Sequence, residues 1–154
     1  MPLVTIARDD PDLDRDPQQK AYVFGIQRAL RYRGILIQGS RTNAAALEAI
    51  EQFAVRPTDV WLATYPKSGN TWTKQILSLI AADGDLESVN GRQISDRVPH
   101  LEISNSLHES GHSTHIERLN ERPAPRLIAT HLPASHIPAQ LRAAKAKVLK
   151  SSQP

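Results

Sequence analysis

The chain has 154 residues, 40% apolar and 23% charged, with a formal net charge of +3 and no cysteine. That length fits one domain with a modest core; disulfide and thiolate chemistry are excluded, and the charge is too small and too scattered for nucleic-acid binding. No apolar run approaches the roughly 20 residues of a membrane span and the first ten residues are too polar for a signal peptide, so a cytoplasmic protein with neither nucleic-acid nor membrane partners is expected.

In chain order, residues 8–20 are acidic, proline-interrupted and nearly without apolar side chains, which makes 1–20 an expected mobile arm. Tyr22, Val23, Ile26, Ala29 and Leu30 recur at helical spacing and Gly34 follows, so a helix is expected over Ala21–Arg33. Arg28, Arg31 and Arg33 read as its solvated face. Residues 34–39 suggest a short strand. Asn43 stands where it would cap a helix over Ala44–Phe53, with Leu47, Ile50 and Phe53 as its buried stripe. Val55–Asp59, with Pro57, breaks that helix.

The most informative stretch comes next. Val60-Trp-Leu-Ala63 reads as a strand, and Thr64-Tyr-Pro-Lys-Ser-Gly-Asn-Thr-Trp72 as a tight turn. Thr73–Ile80 reads as a helix ending near Asp83-Gly84, with Ile76, Leu77, Leu79 and Ile80 expected on its buried side. A turn that opens a helix offers free backbone N–H groups and the positive end of the helix dipole, which suits a phosphate. Gly69 allows close backbone approach, Lys67 adds a charge, Ser68, Asn70 and Thr71 add polar side chains, and Trp72 offers a flat face for a base. A Walker A loop is excluded, because Lys67 precedes the only glycine of the turn. Strand followed directly by helix opens a βαβ unit, so the expected fold is α/β: a parallel sheet with flanking helices and a P-loop-like nucleotide-binding turn. Val60–Trp61 would lie in a central strand buried on both faces.

Residues 85–125 have little periodicity, and short helices and loops are expected there. Arg97-Val-Pro-His-Leu-Glu102 either lines a ligand pocket or starts a helix with Pro99 in its first turn. His108-Glu-Ser-Gly-His112 matches the H-E-x-x-H zinc pattern, but polar neighbours and no apolar stripe argue for a loop, and no metal is expected. Arg126–Pro133 contains a short buried strand, Leu127-Ile-Ala129, that ends in Thr130 and His131. Ligand sites of open α/β sheets gather at such strand ends, and a histidine there can act as a general base near neutral pH. A helix is expected over Pro138–Lys145, a strand from Lys147, and a polar tail over 150–154, which leaves 21–149 as the domain.

Taken together, the Thr64–Trp72 turn, Arg97–Glu102 and Thr130-His-Leu-Pro133 resemble three motifs of the cytosolic sulfotransferases, in family order: T-Y-P-K-S-G-T-T-W, R-x-P-x-L-E and K-T-H-L-P. The resemblance implies a donor, 3′-phosphoadenosine 5′-phosphosulfate, and an acceptor that is a small molecule with a hydroxyl or amine. It implies that Lys67 binds the phosphosulfate and supports the leaving phosphate. It places Ser68, Gly69, Asn70 and Thr71 around that group, Trp72 against the adenine, and His131 as the catalytic base.

Three departures stand out. Asn70 replaces a threonine, and Ala129 stands where many members carry a lysine just before Thr-His. Family members are also roughly twice as long, and their later 3′-phosphate-binding segments have no counterpart here. The resemblance therefore implies a truncated domain. It leaves two readings: a sulfuryl-transferring enzyme, or an inactive fragment whose role is binding or association with full-length relatives.

Overall fold

A computed structural model describes residues 4–6, 29–38, 42, 44–103, 115–143 and 146–151. Residues 8–20, residues 21–28 of the expected first helix, the Asn43 cap and the H-E-x-x-H stretch lie outside the described residues.

Two sheets organise the chain. The first is antiparallel, in the order β1 (Val4–Ile6), β2 (Ala29–Tyr32), β3 (Ile35–Gln38). It corrects the sequence reading twice. Val4–Ile6, inside the expected arm, pairs with β2, and Ala29–Tyr32, inside the expected helix, is a strand. The reason lies in the turn. Tyr32 faces Ile35 in the register, so Arg33 and Gly34 form a two-residue hairpin loop, with φ of 48° and 87°. Two successive positive φ values are what a tight hairpin of type I′ requires. Gly34 therefore closes a hairpin where a helix end was expected. Arg33 also donates to the Glu51 carboxylate, with Nη2 to Oε2 at 2.9 Å.

The second sheet is parallel, in the order β5 (Leu127–Thr130), β4 (Val60–Thr64), β6 (Lys147–Ser151). Val60 lies opposite both Leu127 and Lys147, so β4 is central as expected, with Trp61 and Leu62 fully buried on opposite faces. β6 runs on through Lys150 and Ser151, paired with Ala63 and Thr64. The tail expected to begin at residue 150 is thus sheet for two more residues, because ladder hydrogen bonds use backbone groups and tolerate polar side chains.

Helices cover both faces of this sheet. On one side lies α1 (Ala44–Glu51), whose Leu47 and Ile50, with Phe53 just beyond, pack with Trp61, Leu101, Leu119, Ile128 and Leu132. Phe53 and Trp61 meet edge to face at 5.8 Å. Burying each such side chain contributes on the order of 1.5–3 kcal/mol. On the other side lies α2 (Asn70–Ala81), whose Leu77 packs with Leu62, Val98 and Ala129. The buried face of α2 is Lys74, Leu77 and Ser78. Leu79 is half-buried, whereas Ile76 and Ile80 are 54% and 70% exposed, which corrects the expected stripe. The helix turns its i, i+3, i+4 row through Lys74 to the sheet and leaves the more apolar row outside.

The connection to β5 holds short helices, as expected: α3 (Leu86–Asn90), α4 (Ile94–Arg97) and α5 (His115–Glu121). After β5 come a 3₁₀ turn (Ala134–His136) and α6 (Ala139–Arg142), a shorter helix than the spacing suggested.

One polar contact anchors the base of the α1 side. Arg126 makes a two-pronged pair with Asp59, Nε to Oδ1 at 2.7 Å and Nη2 to Oδ2 at 2.6 Å. Both side chains are fully buried. Its remaining donors reach the carbonyls of Leu119 and Ala54, and its guanidinium lies 4.7 Å from the Phe53 ring centre. A buried ion pair persists only when its leftover donors are satisfied in this way.

Candidate active site

The site forms at the C-terminal ends of β4 and β5. From β4 the chain passes to β5 at one edge of β4 and then to β6 at the other, so the end of β4 is the switch point where open α/β sheets place ligands.

The turn after β4 is shaped by Lys67 (φ 66°) and Gly69 (φ 85°) in the left-handed region, where glycine has no steric penalty. Gly69 is the N-cap of α2 and offers no side-chain cap. Thr73 N–H bonds back to the Gly69 carbonyl at 3.0 Å. Among the described residues, the amides of Gly69, Asn70, Thr71 and Trp72 have no protein acceptor. That leaves a cluster of donors at the positive end of a twelve-residue helix, the setting for a bound anion. Lys67 is exposed beside them, and Trp72 is 78% exposed, its face open to stacking. Ser68 is committed elsewhere: its hydroxyl donates to the Tyr65 carbonyl, and Ser151 Oγ donates to the Ser68 carbonyl at 2.7 Å. The end of β6 thereby holds the turn in shape.

His131 follows β5 and is tied to the same turn. Its Nδ1 lies 2.8 Å from the Thr64 carbonyl. A carbonyl can only accept, so Nδ1 carries the proton and Nε2 keeps its lone pair. Thr64 Oγ1 is 3.1 Å from the same nitrogen and accepts from Asn70 Nδ2 at 2.8 Å. Asn70, read from the sequence as a ligand donor, therefore also reaches the histidine through Thr64.

Glu102 supports His131 from behind. Pro99–Leu101 runs alongside β5, with Ala129 N–H donating to Pro99 O and Leu101 N–H to Ala129 O, each at 2.8 Å. This contact rules out the helix-starting reading of Arg97–Glu102: Pro99 starts no helix, and the segment runs beside the end of β5. Glu102 Oε1 accepts from His131 N–H at 2.8 Å and Oε2 from Thr130 Oγ1 at 2.9 Å. Burial opposes the charge on Glu102. The hydrogen bonds from His100 and the His131 backbone outweigh it and hold the carboxyl below its ordinary value. His100 lies 3.4 Å from Glu102, its ring 4.5 Å from that of His131. Burial first, then Lys74 and His131, depress its pKa despite the pull of Glu102.

Lys74 completes the cluster, and the sequence reading passed over it. It lies in the first turns of α2, 4% exposed. Desolvation lowers its pKa to about 8, with Glu102 partly opposing. The available signal was its place three residues before the buried Leu77, on the same helix face. Glu102 and Thr64 were visible only as motif letters, since their bonds join residues 29 and 67 positions apart.

The arrangement pairs a seat for an anion with a base three residues of hydrogen bonding away, which is what group transfer to a nucleophile requires. Comparison with known proteins identifies the family. The family model described as the sulfotransferase domain matches residues 57–150. The chain is 40% identical over 141 residues to sulfotransferase 1A1 of Canis lupus familiaris, covering 92% of this chain and 42% of that protein. It is 44% identical over 106 residues to sulfotransferase 1A1 of Bos taurus, covering 69% and 35%. A crystal structure of retinol dehydratase with retinol and PAP shares the fold, with a TM-score of 0.65 at 20% identity over 97% of this chain and 51% of that one. The chain thus spans about two fifths of the length of the curated relatives it matches. No described helix is long and apolar enough to cross a membrane. By its domain match, its relatives and its fold, the chain belongs to the sulfotransferase family.

Proposed function

We propose that this chain binds 3′-phosphoadenosine 5′-phosphosulfate at the Thr64–Trp72 turn and transfers its sulfuryl group to a hydroxyl or amine of a small acceptor. The observation that carries the reading is the link between the two halves of the site: open amides and Lys67 on the turn, and His131 fixed by Thr64 of that turn with Nε2 left basic.

The residues present fit the nucleotide. Lys67 and the amides of Gly69, Asn70, Thr71 and Trp72 would hold the 5′-phosphosulfate, and Trp72 the adenine. When bound, the nucleotide supplies an electrophilic sulfur on a good leaving phosphate. His131 Nε2 takes the proton from the acceptor as its oxygen or nitrogen forms the new bond to sulfur. Lys67 and the helix amides balance the charge left on the phosphate. Glu102, ionised and bonded to the His131 backbone, keeps the ring in place.

A second reading, binding without turnover, rests on the exposure of Trp72 at the turn. A site open on that side excludes water poorly.

Calorimetric titration with 3′-phosphoadenosine 5′-phosphate tests the reading, with Lys67→Ala as control. Micromolar binding lost in the variant is expected, followed by sulfation in an acceptor screen that His131→Asn abolishes. Binding without any sulfation would leave the second reading, and no binding at all would reject both.

A further inference from the structure

Lys74 carries a charge in a place that does not favour one. Its side chain is buried beneath the nucleotide turn, on the helix face that also presents Leu77 to Leu62, Val98 and Ala129. Among the described residues its ammonium makes no hydrogen bond, and no carboxylate lies within 4 Å of it. Glu102 is the nearest source of negative charge, but its oxygens are already engaged by Thr130, by the His131 backbone and by His100. A desolvated ammonium without a direct partner is unfavourable in the free protein. Such groups concentrate where a ligand supplies the missing charge.

Its position says what that ligand is. Lys74 lies one helical turn beyond Asn70, whose amide opens toward the anion seat and whose side chain leads through Thr64 to His131. Its charge lowers the pKa of His100, and Glu102 in turn favours its charged form; both groups pack behind His131. It therefore lies on the sheet-facing side of the helix, near the groups packed behind His131, whereas Lys67 is exposed on the turn itself.

We propose that Lys74 is a second cation of the transfer site, whose ammonium binds the oxygens of the anionic group being moved from donor to acceptor. This rests on the donor-binding reading above and adds a residue to it. Lys67 then serves the nucleotide phosphate that stays behind, and Lys74 the group that leaves it.

The test is calorimetry with two nucleotides in the absence of acceptor: 3′-phosphoadenosine 5′-phosphosulfate, which has the transferable group, and 3′-phosphoadenosine 5′-phosphate, which lacks it. Each is titrated into wild type, Lys67→Ala, Lys74→Met and Lys74→Arg at pH 8.5 in two buffers of different ionisation enthalpy. The titratable groups facing Lys74 are Glu102, His100 and His131, and all remain in every variant.

The expected result has two parts. Lys74→Met loses about 10- to 100-fold in affinity for the phosphosulfate, the range for a hydrogen bond to a charged group, and much less for the bisphosphate. Wild type takes up a proton on binding the phosphosulfate, because the anion favours the charged form of a lysine that titrates near this pH. Lys74→Met shows no uptake, and Lys74→Arg recovers affinity without it. A lysine that only props Glu102 would produce neither the ligand difference nor the proton uptake. Equal affinities in wild type and Lys74→Met, with Lys67→Ala still impaired, would overturn this inference and leave the proposed function standing. Failure of wild type to bind either nucleotide would overturn both. Thermal unfolding of Lys74→Met, with Lys74→Gln as the second variant, confirms that the proteins compared are folded.

Discussion

On the α1 face of β4, Trp61 packs with Phe53, Leu47 and Ile50, and the buried charges Asp59 and Arg126 are paired with each other. On the α2 face, one residue along the same strand, Leu62 and Thr64 meet Lys74, Ala129 and the group around Glu102, His100 and His131. Strand alternation puts these two environments about a sheet's thickness apart. On the first face the buried charges answer each other, although the Trp61 indole N–H has no partner among the described residues. The second keeps an underpartnered ammonium and a basic ring nitrogen. Stability is concentrated on one side and chemistry on the other, and this predicts that substitutions on the two faces differ in sign.

The largest effect is expected on the α1 face. Asp59→Ala strands the Arg126 guanidinium in the interior and removes the acceptor of the Arg56 amide. Urea denaturation should show a loss of about 3–5 kcal/mol, the usual result of breaking a buried pair from one side. A loss below about 1 kcal/mol would erase the contrast.

On the α2 face the sign reverses. The pKa of Lys74 falls from 10.5 to about 8, so the fold is penalised while the lysine is protonated in both states. The penalty fades as pH rises from about 8 to 10.5, where the folded lysine has lost its proton and the unfolded one has not. Lys74→Met should therefore stabilise the protein at pH 7 by about 1–3 kcal/mol, allowing for the lost attraction to Glu102. That advantage should disappear by pH 10.5. A variant less stable than wild type at pH 7 would place Lys74 with the structural residues.

Smaller effects sharpen the picture. Thr130→Val removes a donor to Glu102 and the acceptor of the Leu132 amide, and should cost about 1–2 kcal/mol. The carboxyl of Glu102 is held below its ordinary value, so its contribution is complete above that value and is lost as pH falls through the lowered one. Glu102→Gln should flatten the acid limb of a pH–stability curve. The smallest change is expected at Ile80, 70% exposed. Ile80→Glu should shift stability by less than about 0.5 kcal/mol, whereas a core position would lose several times that.

These contrasts mark how far the sequence could be read. Strand, turn and helix at 60–81 were legible because the pattern is local: a β-rich apolar run, then Gly69 at one of the two points of the turn with a left-handed backbone. Leu47, Ile50 and Phe53 were legible for the same reason, as a stripe buried on one side only. The hairpin at Arg33-Gly34 was misread because apolar residues three and four apart fit a helix, and a glycine ends either element. The inner face of α2 was misread because periodicity gives an angle and not the partner. Ile76, Leu77, Leu79 and Ile80 outvote Lys74 in any local count, yet the sheet receives Lys74, Leu77 and Ser78. His131 was expected as a base, but its tautomer depends on the Thr64 carbonyl 67 positions away. No spacing rule reports that kind of bond.

The exchange between Ser68 and Ser151 has a consequence for the order in which the protein is made. Tyr65 N–H and Ser68 Oγ both reach the Ser151 carbonyl, across as many as 86 and 83 positions. The turn proposed to seat the nucleotide is held by the last described residue of β6. Contacts this distant in sequence close late, after their intervening chain has been ordered. During synthesis, then, this turn emerges well before β6 and acquires its final shape only once β6 has docked.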